Sequence, residues 1–140
     1  MITQVQQGKG KEKYHEQIMR VALIKEVGDF LDSLVSLKII VRYHVKRDFG
    51  MNYDTIDNLC VCKDTVSLAT LDKMAYVMAF YLMEYQKATE AEPLGRERKQ
   101  KLDALPALFD KLKEIFGFRA AFALDLINKG IDLRQVVKHQ

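Results

Sequence analysis

Cysteine and proline are scarce in this chain, with two of each among 140 residues. Two thiols cannot build a disulfide scaffold, so the fold must rest on an apolar interior. A long apolar run is missing too. The longest strongly apolar stretch, Met74 to Met83, is ten residues between Lys73 and Glu84, half of the about 20 a membrane span needs. Neither sign of charge dominates: 22 Lys and Arg stand against 19 Asp and Glu, for a net charge of +3. That balance permits an acidic partner without demanding one. No apolar stretch follows a basic start, so no secretory signal is expected. The expected setting is cytoplasmic, with reduced thiols. No internal repeat is apparent.

What is present suits one domain. Apolar residues make up 49% of the chain, enough for a sizeable core at this length without disulfides or metal. Residues 1–13 are polar, with Gly8 and Gly10 among lysines, and are expected to be a flexible basic N-terminal arm. Residues 14–140 are expected to form a single helical domain. From Tyr14 onward Leu23, Val27, Phe30, Leu34, Leu37 and Val41 recur at three- and four-residue steps. Lys25, Asp29, Asp32 and Ser36 take the opposite side, the layout of an amphipathic helix. The pattern survives to Val45 and predicts one helix ended by Asp48-Phe49-Gly50.

Residues 37–46 also alternate with a period of two and are rich in β-branched side chains. Residues 59–68 could supply a hairpin to pair with them. The fold class is therefore all-α, a compact multi-helix bundle, with an α+β arrangement carrying a small sheet at 37–46 and 59–68 as the alternative.

Further on, Asp54 to Cys62 predicts a short helix. Thr70 is the expected cap of an apolar helix with Leu71, Met74, Ala75, Met78, Leu82 and Tyr85 inward, the expected centre of the bundle. Ala91-Glu92-Pro93-Leu94-Gly95 is the clearest break. Asp103 is expected to cap a helix with Pro106 in its first turn, burying Leu105, Leu108, Phe109, Leu112, Ile115 and Phe116. Gly117 marks a bend, Phe118 to Asn128 reads as a buried helix stopped by Gly130, and Asp132 caps a last short helix.

Motifs for chemistry are weak. Gly8-Lys9-Gly10-Lys11 lacks the glycine spacing, the following Ser or Thr and the strand of a phosphate loop. Cys60 and Cys62 with His15, His44 and His139 lack the second spaced ligand pair of a zinc site, and they read as buried, unreactive cysteines and as surface or packing imidazoles. Tyr14, His15, Glu16, Asp54, Asp57 and Asp64 fall into no local catalytic arrangement and read as caps and solvated faces. Asp48-Phe49-Gly50 matches a kinase magnesium motif, but the glycine-rich loop is absent. No cofactor, metal or catalytic residue is expected, and the protein reads as a non-enzyme.

Basic clusters are the better lead. Lys9, Lys11, Lys13 and Arg20 lie at the start. Arg42, Lys46 and Arg47, with His44, close the first long element, and Arg96, Arg98, Lys99 and Lys101 form a third group. Arg42 and Lys46 are four apart and share a helix face. Such combs hold phosphate backbones without a sequence code. Arg134 joins them on a helix-turn-helix grammar that commonly presents side chains to nucleic acid.

The run holding Arg119, Phe122, Ala123, Leu126, Gly130, Asp132, Leu133 and Arg134 resembles a fragment of tyrosine recombinases. In that family an Arg-His-Thr-Phe-Ala run leads through a helix to Gly-x-Asp-Leu-Arg. The resemblance would put Arg119 in the place of a catalytic arginine. Phe116 and Ala120 stand where the family has histidines, and the sequence contains no counterpart of the later histidine and tyrosine. No catalytic role is carried over.

The expected function is that of a non-catalytic helical subunit or adaptor in a larger, nucleoprotein assembly. It would contact DNA or RNA phosphates through Arg42, Lys46, Arg47, Arg96, Arg98, Lys99, Lys101 and Arg134 without sequence specificity. The alternative is a protein-only regulator, such as a phage-encoded inhibitor, that docks a helical face onto a partner enzyme. No membrane partner is expected.

Overall fold

Six consecutive buried residues, Met74 to Ala79, mark the helix around which the others assemble. The computed structural model describes residues 14–91 and 95–138. Among them are seven helices and no strand. They are α1 (Tyr14–Ser36), α2 (Arg42–Phe49), α3 (Tyr53–Cys60), α4 (Leu68–Ala91), α5 (Arg96–Phe116), α6 (Phe118–Asn128) and α7 (Leu133–Lys138). The central element is α4, which packs against α1, α5, α6 and α7. The short helices α2 and α3 pack on each other, with α3 also against α1 and α2 also against α7.

One continuous core takes residues from every helix, among them Ile24, Val45, Ile56, Met78, Leu112, Ala123 and Leu133. Fully burying a side chain the size of Leu, Ile or Met is worth about 1.5–3 kcal/mol over leaving it exposed. The all-α expectation holds. The sheet alternative does not: within 37–46 and 59–68 the chain runs through turns and helix ends. The expected arm over residues 1–13 lies outside the described residues.

The single helix expected to run through Val45 is broken. After Ser36 the chain turns at Lys38, whose φ is 62°. Ile39 N–H donates to the Leu34 carbonyl at 3.0 Å and Lys38 N–H to Val35 at 3.0 Å. These are the two bonds of a Schellman ending, with its apolar contact supplied by buried Ile39 and Leu34. With the chain turned at Lys38, Ile39 and Ile40 both lie in the core. The same pair of bonds ends α3 at Cys62 (φ 58°) and α6 at Gly130 (φ 79°).

Three smaller expectations also change. Ser67, not Thr70, caps α4: its Oγ accepts from Thr70 N–H at 3.2 Å. The helix expected to begin at Asp103 begins at Arg96, so Pro106 lies in its interior. Pro106 is exposed, which leaves water to satisfy the carbonyl it cannot serve. Of α6, expected to be buried, only Ala120 and Ala123 are buried, while Phe118 is 86% exposed. Asp132 does cap α7, its Oδ1 accepting from Arg134 N–H at 2.9 Å.

Candidate nucleic-acid interface

Along Arg42-Tyr43-His44-Val45-Lys46-Arg47-Asp48-Phe49 the helical period sorts side chains by face. Val45, Asp48 and Phe49 are buried. Phe49 packs edge-on against Phe80 at 5.4 Å and Tyr81 at 5.9 Å between ring centroids, anchoring α2 on α4. Arg42, Tyr43, Lys46 and Arg47 are left on the outside.

These outer side chains interleave charge with aromatic rings. The Arg42 guanidinium lies 5.5 Å and the Lys46 ammonium 4.9 Å from the ring centre of Tyr53, the first residue of α3. Arg47 lies 6.0 Å from the Tyr43 ring, and His44 meets that ring edge-on at 6.0 Å. Tyr43 keeps 59% of its surface exposed. Cations over ring faces are held by the ring quadrupole.

Both of these guanidiniums also have carboxylate partners. Arg42 Nη1 donates to both Asp57 oxygens, at 2.6 and 2.7 Å. That bonding, with the Asp57 charge, holds the Arg42 pKa above its ordinary value. Arg47 donates through Nε and Nη2 to Asp48 at 2.9 and 3.1 Å. Arg134 holds Asp132 through the same two nitrogens, at 3.0 and 2.9 Å. Among the described residues no carboxylate pairs with Lys46. Pairs at a solvated surface are weak and screened by salt, so a phosphate can compete for the cation.

The structure brings Arg134 to the α2 cluster. Both Arg47 and Arg134 line a cleft of 350 Å³ between α2, α4 and α7, with Asp48 and Tyr81 in its wall. Asp48 is buried and accepts from the Tyr81 hydroxyl at 2.8 Å. Bonding to Arg47 lowers the Asp48 pKa, the Tyr81 bond adds to this, and the Arg134 charge contributes further. Burial, then the Asp48 bond, raises the Tyr81 phenol well above its ordinary value. Arg134 also lies 5.1 Å from the Phe80 ring centre.

The third cluster is only partly joined to this face. Arg96 and Lys99 are exposed on the first turns of α5, and the side chain of Arg98 lies outside the described residues. Lys101 lines a 230 Å³ groove with Leu37, Ile39, Ala104 and Leu108. Ile39 lines both this groove and the α2 cleft, so the turn at 37–41 adjoins both. Of the first cluster, Lys9, Lys11 and Lys13 lie outside the described residues. Arg20 is structural, donating to the carbonyls of Asp64 and Val66 at 2.5 and 2.7 Å.

Sequence reasoning missed Tyr43, Tyr53, Asp48 and Tyr81 as parts of this surface. Tyr43 could have been found, because it sits between Arg42 and Lys46 in a basic run where an exposed aromatic is itself a signal. Tyr81 could not, since nothing local pairs it with Asp48.

Both thiols, expected to be buried, are half-buried. Burial pushes Cys60 up to about 11. Burial and the bond to Asp29 raise Cys62, whose Sγ lies 3.5 Å from Asp29 Oδ1. A raised pKa leaves little thiolate at neutral pH. Among the described residues no three His, Cys, Asp or Glu side chains gather as a metal site. In the run that resembles a recombinase fragment, Arg119 pairs with Asp72 at 2.7 Å, Gly130 ends α6 and Asp132 caps α7. No protein family matches this chain, and neither does any curated protein or solved structure.

Proposed function

We propose that the protein is a non-catalytic helical subunit of a nucleoprotein assembly that holds single-stranded nucleic acid on the outer face of α2. One observation carries this reading: exposed Tyr43 and Tyr53 are interleaved with Arg42, Lys46 and Arg47 at 4.9 to 6.0 Å. Cations beside ring faces meet both needs of a single strand, whose phosphates seek charge and whose bases seek a stacking platform. Every base has a π-face, so contact of this kind is tolerant of sequence. Duplex bases are already stacked, so the duplex gains only the phosphate contacts. The test is equilibrium binding of single-stranded DNA, single-stranded RNA and duplex DNA at two salt concentrations. Single strands should bind more tightly than duplex and weaken as salt rises. Absence of binding to every probe at low salt would overturn the reading.

A second reading has its own observation. An open apolar groove of 550 Å³ lies between the start of α1 and the start of α4. Met19, 68% exposed, and Leu23 and Leu68 line it, with Glu16, Arg20 and Glu26 alongside. A protein-only regulator would use such a groove to dock onto a partner enzyme. Recovery of one stoichiometric protein partner, free of nucleic acid, would favour it.

A further inference from the structure

Arg47 and Arg134 come from distant parts of the chain into one cleft, and holding a strand on the outer face of α2 makes no use of it. Lys38, His44 and Tyr85 complete much of its polar lining. Three fixed cations share this space with two carboxylates, Asp48 and Glu84, and a third, Asp132, binds Arg134 from beside it. Asp48 is buried and already engaged by Arg47 and Tyr81.

Both guanidiniums hold their carboxylates by the same edge. Each uses Nε and Nη2, and in each Nη1 has no hydrogen-bond partner among the described residues. A carboxylate on one edge fixes the guanidinium plane, so the remaining N–H groups are set in place before a ligand arrives. The rings of Tyr43 and Phe80 support the same two groups. Two oriented guanidiniums beside a lysine suit an anion with several oxygens and more than one charge. A phosphate monoester has three terminal oxygens and a charge of about −1.5 to −2 at neutral pH. An internal phosphodiester carries one charge and two free oxygens, and so gains less here. The cleft volume of 350 Å³ equals that of roughly a dozen water molecules, which leaves room for more than a bare ion.

We infer that this cleft takes the terminal phosphate monoester of a nucleic-acid strand whose following nucleotides lie on the α2 face. The inference rests on the nucleic-acid reading above and adds to it a preference for strand ends. Arg47 belongs to both surfaces, while Arg134 and Lys38 belong to the cleft.

The test uses the full chain and one single-stranded oligonucleotide, labelled internally, in three forms: 5′-phosphorylated, 3′-phosphorylated and hydroxyl at both ends. One phosphorylated form should bind roughly tenfold more tightly than the hydroxyl form, the scale of an added charge-assisted contact. Which form gains decides the polarity of the strand. In Arg134→Gln the ratio between the two should fall towards one, with helical content checked by circular dichroism. Should that variant not fold, inorganic phosphate added to the native protein at constant ionic strength should abolish the same preference. Equal affinity for all three forms would overturn the inference and leave the α2 reading intact. Failure of all three to bind would remove both.

Discussion

The Tyr81 hydroxyl donates to the buried Asp48 carboxylate across 2.8 Å, tying the middle of α4 to the last turn of α2. Arg47 donates to both oxygens of the same carboxylate and shares Oδ2 with Tyr81. Removing the phenol oxygen leaves a buried charge with one partner fewer. Tyr81→Phe should therefore cost about 1.5–3 kcal/mol, the range for a hydrogen bond to a charged group, measured by urea unfolding.

The pH dependence of that network has a definite sign. The Asp48 pKa is lower in the folded protein than its unfolded value, which is about 3.9. Its contribution is therefore present above about pH 4 and lost as pH falls through the folded value. Tyr81 is raised, so its contribution is complete below the unfolded value of about 10 and lost as pH climbs above it. Asp48→Asn should flatten the acid limb of the stability profile, and Tyr81→Phe should flatten the alkaline limb. An acid limb equally steep in Asp48→Asn and the native protein would assign the acid loss to other carboxylates.

Gly28 sets the distance between α1 and α3. A β-carbon there would collide with the Leu59 carbonyl oxygen and the Cys62 sulfur. The carbonyl is backbone and cannot step aside, so Gly28→Ala should destabilise by more than about 2 kcal/mol. Gly95→Ala, which meets nothing within 4 Å, should stay within about 0.5 kcal/mol of the parent. Thermal melts of the two variants make the comparison.

Pro106 lies inside α5 on an exposed face. Proline in a helix interior is less favourable than alanine by about 3 kcal/mol, partly offset by its stiffening of the unfolded chain. Pro106→Ala should raise stability by about 2 kcal/mol, visible as a higher urea midpoint with an unchanged slope. No gain would mean that packing around α5 depends on the proline ring.

The sequence shows its helix ends where they use the usual residues and hides them elsewhere. Gly130 and Asp132 are legible because a positive φ favours glycine and an N-cap favours a short acidic side chain. Lys38 and Cys62 make the same kind of turn as Gly130, at φ 62° and 58°, with residues that give no local hint of it. The three-and-four pattern therefore ran on through a real break. Lys38→Gly should stabilise the protein by about 1 kcal/mol by relieving that strain, and a loss would show that the lysine stem packs usefully. The helix α6 misled differently, since its apolar composition is split between buried Ala120 and Ala123 and exposed Phe118 and Phe122. On the candidate interface, Arg42, Lys46 and Arg47 lie within six residues of sequence and are legible as a group. Their meeting with Arg134 depends on how α2 packs against α7, which no local pattern encodes.

The most direct measurement of the central claim is the dependence of single-strand affinity on salt, compared between the native protein and Lys46→Gln. Lys46 pairs with no carboxylate among the described residues, so its loss should reduce the slope of log K against log salt by about 0.7 for one phosphate contact on a single strand. Tyr43→Ala should weaken binding at every salt concentration with the slope unchanged, by about 1–3 kcal/mol for a lost stacking contact. An unchanged slope in Lys46→Gln together with unchanged affinity in Tyr43→Ala would contradict the account and take the strand off α2.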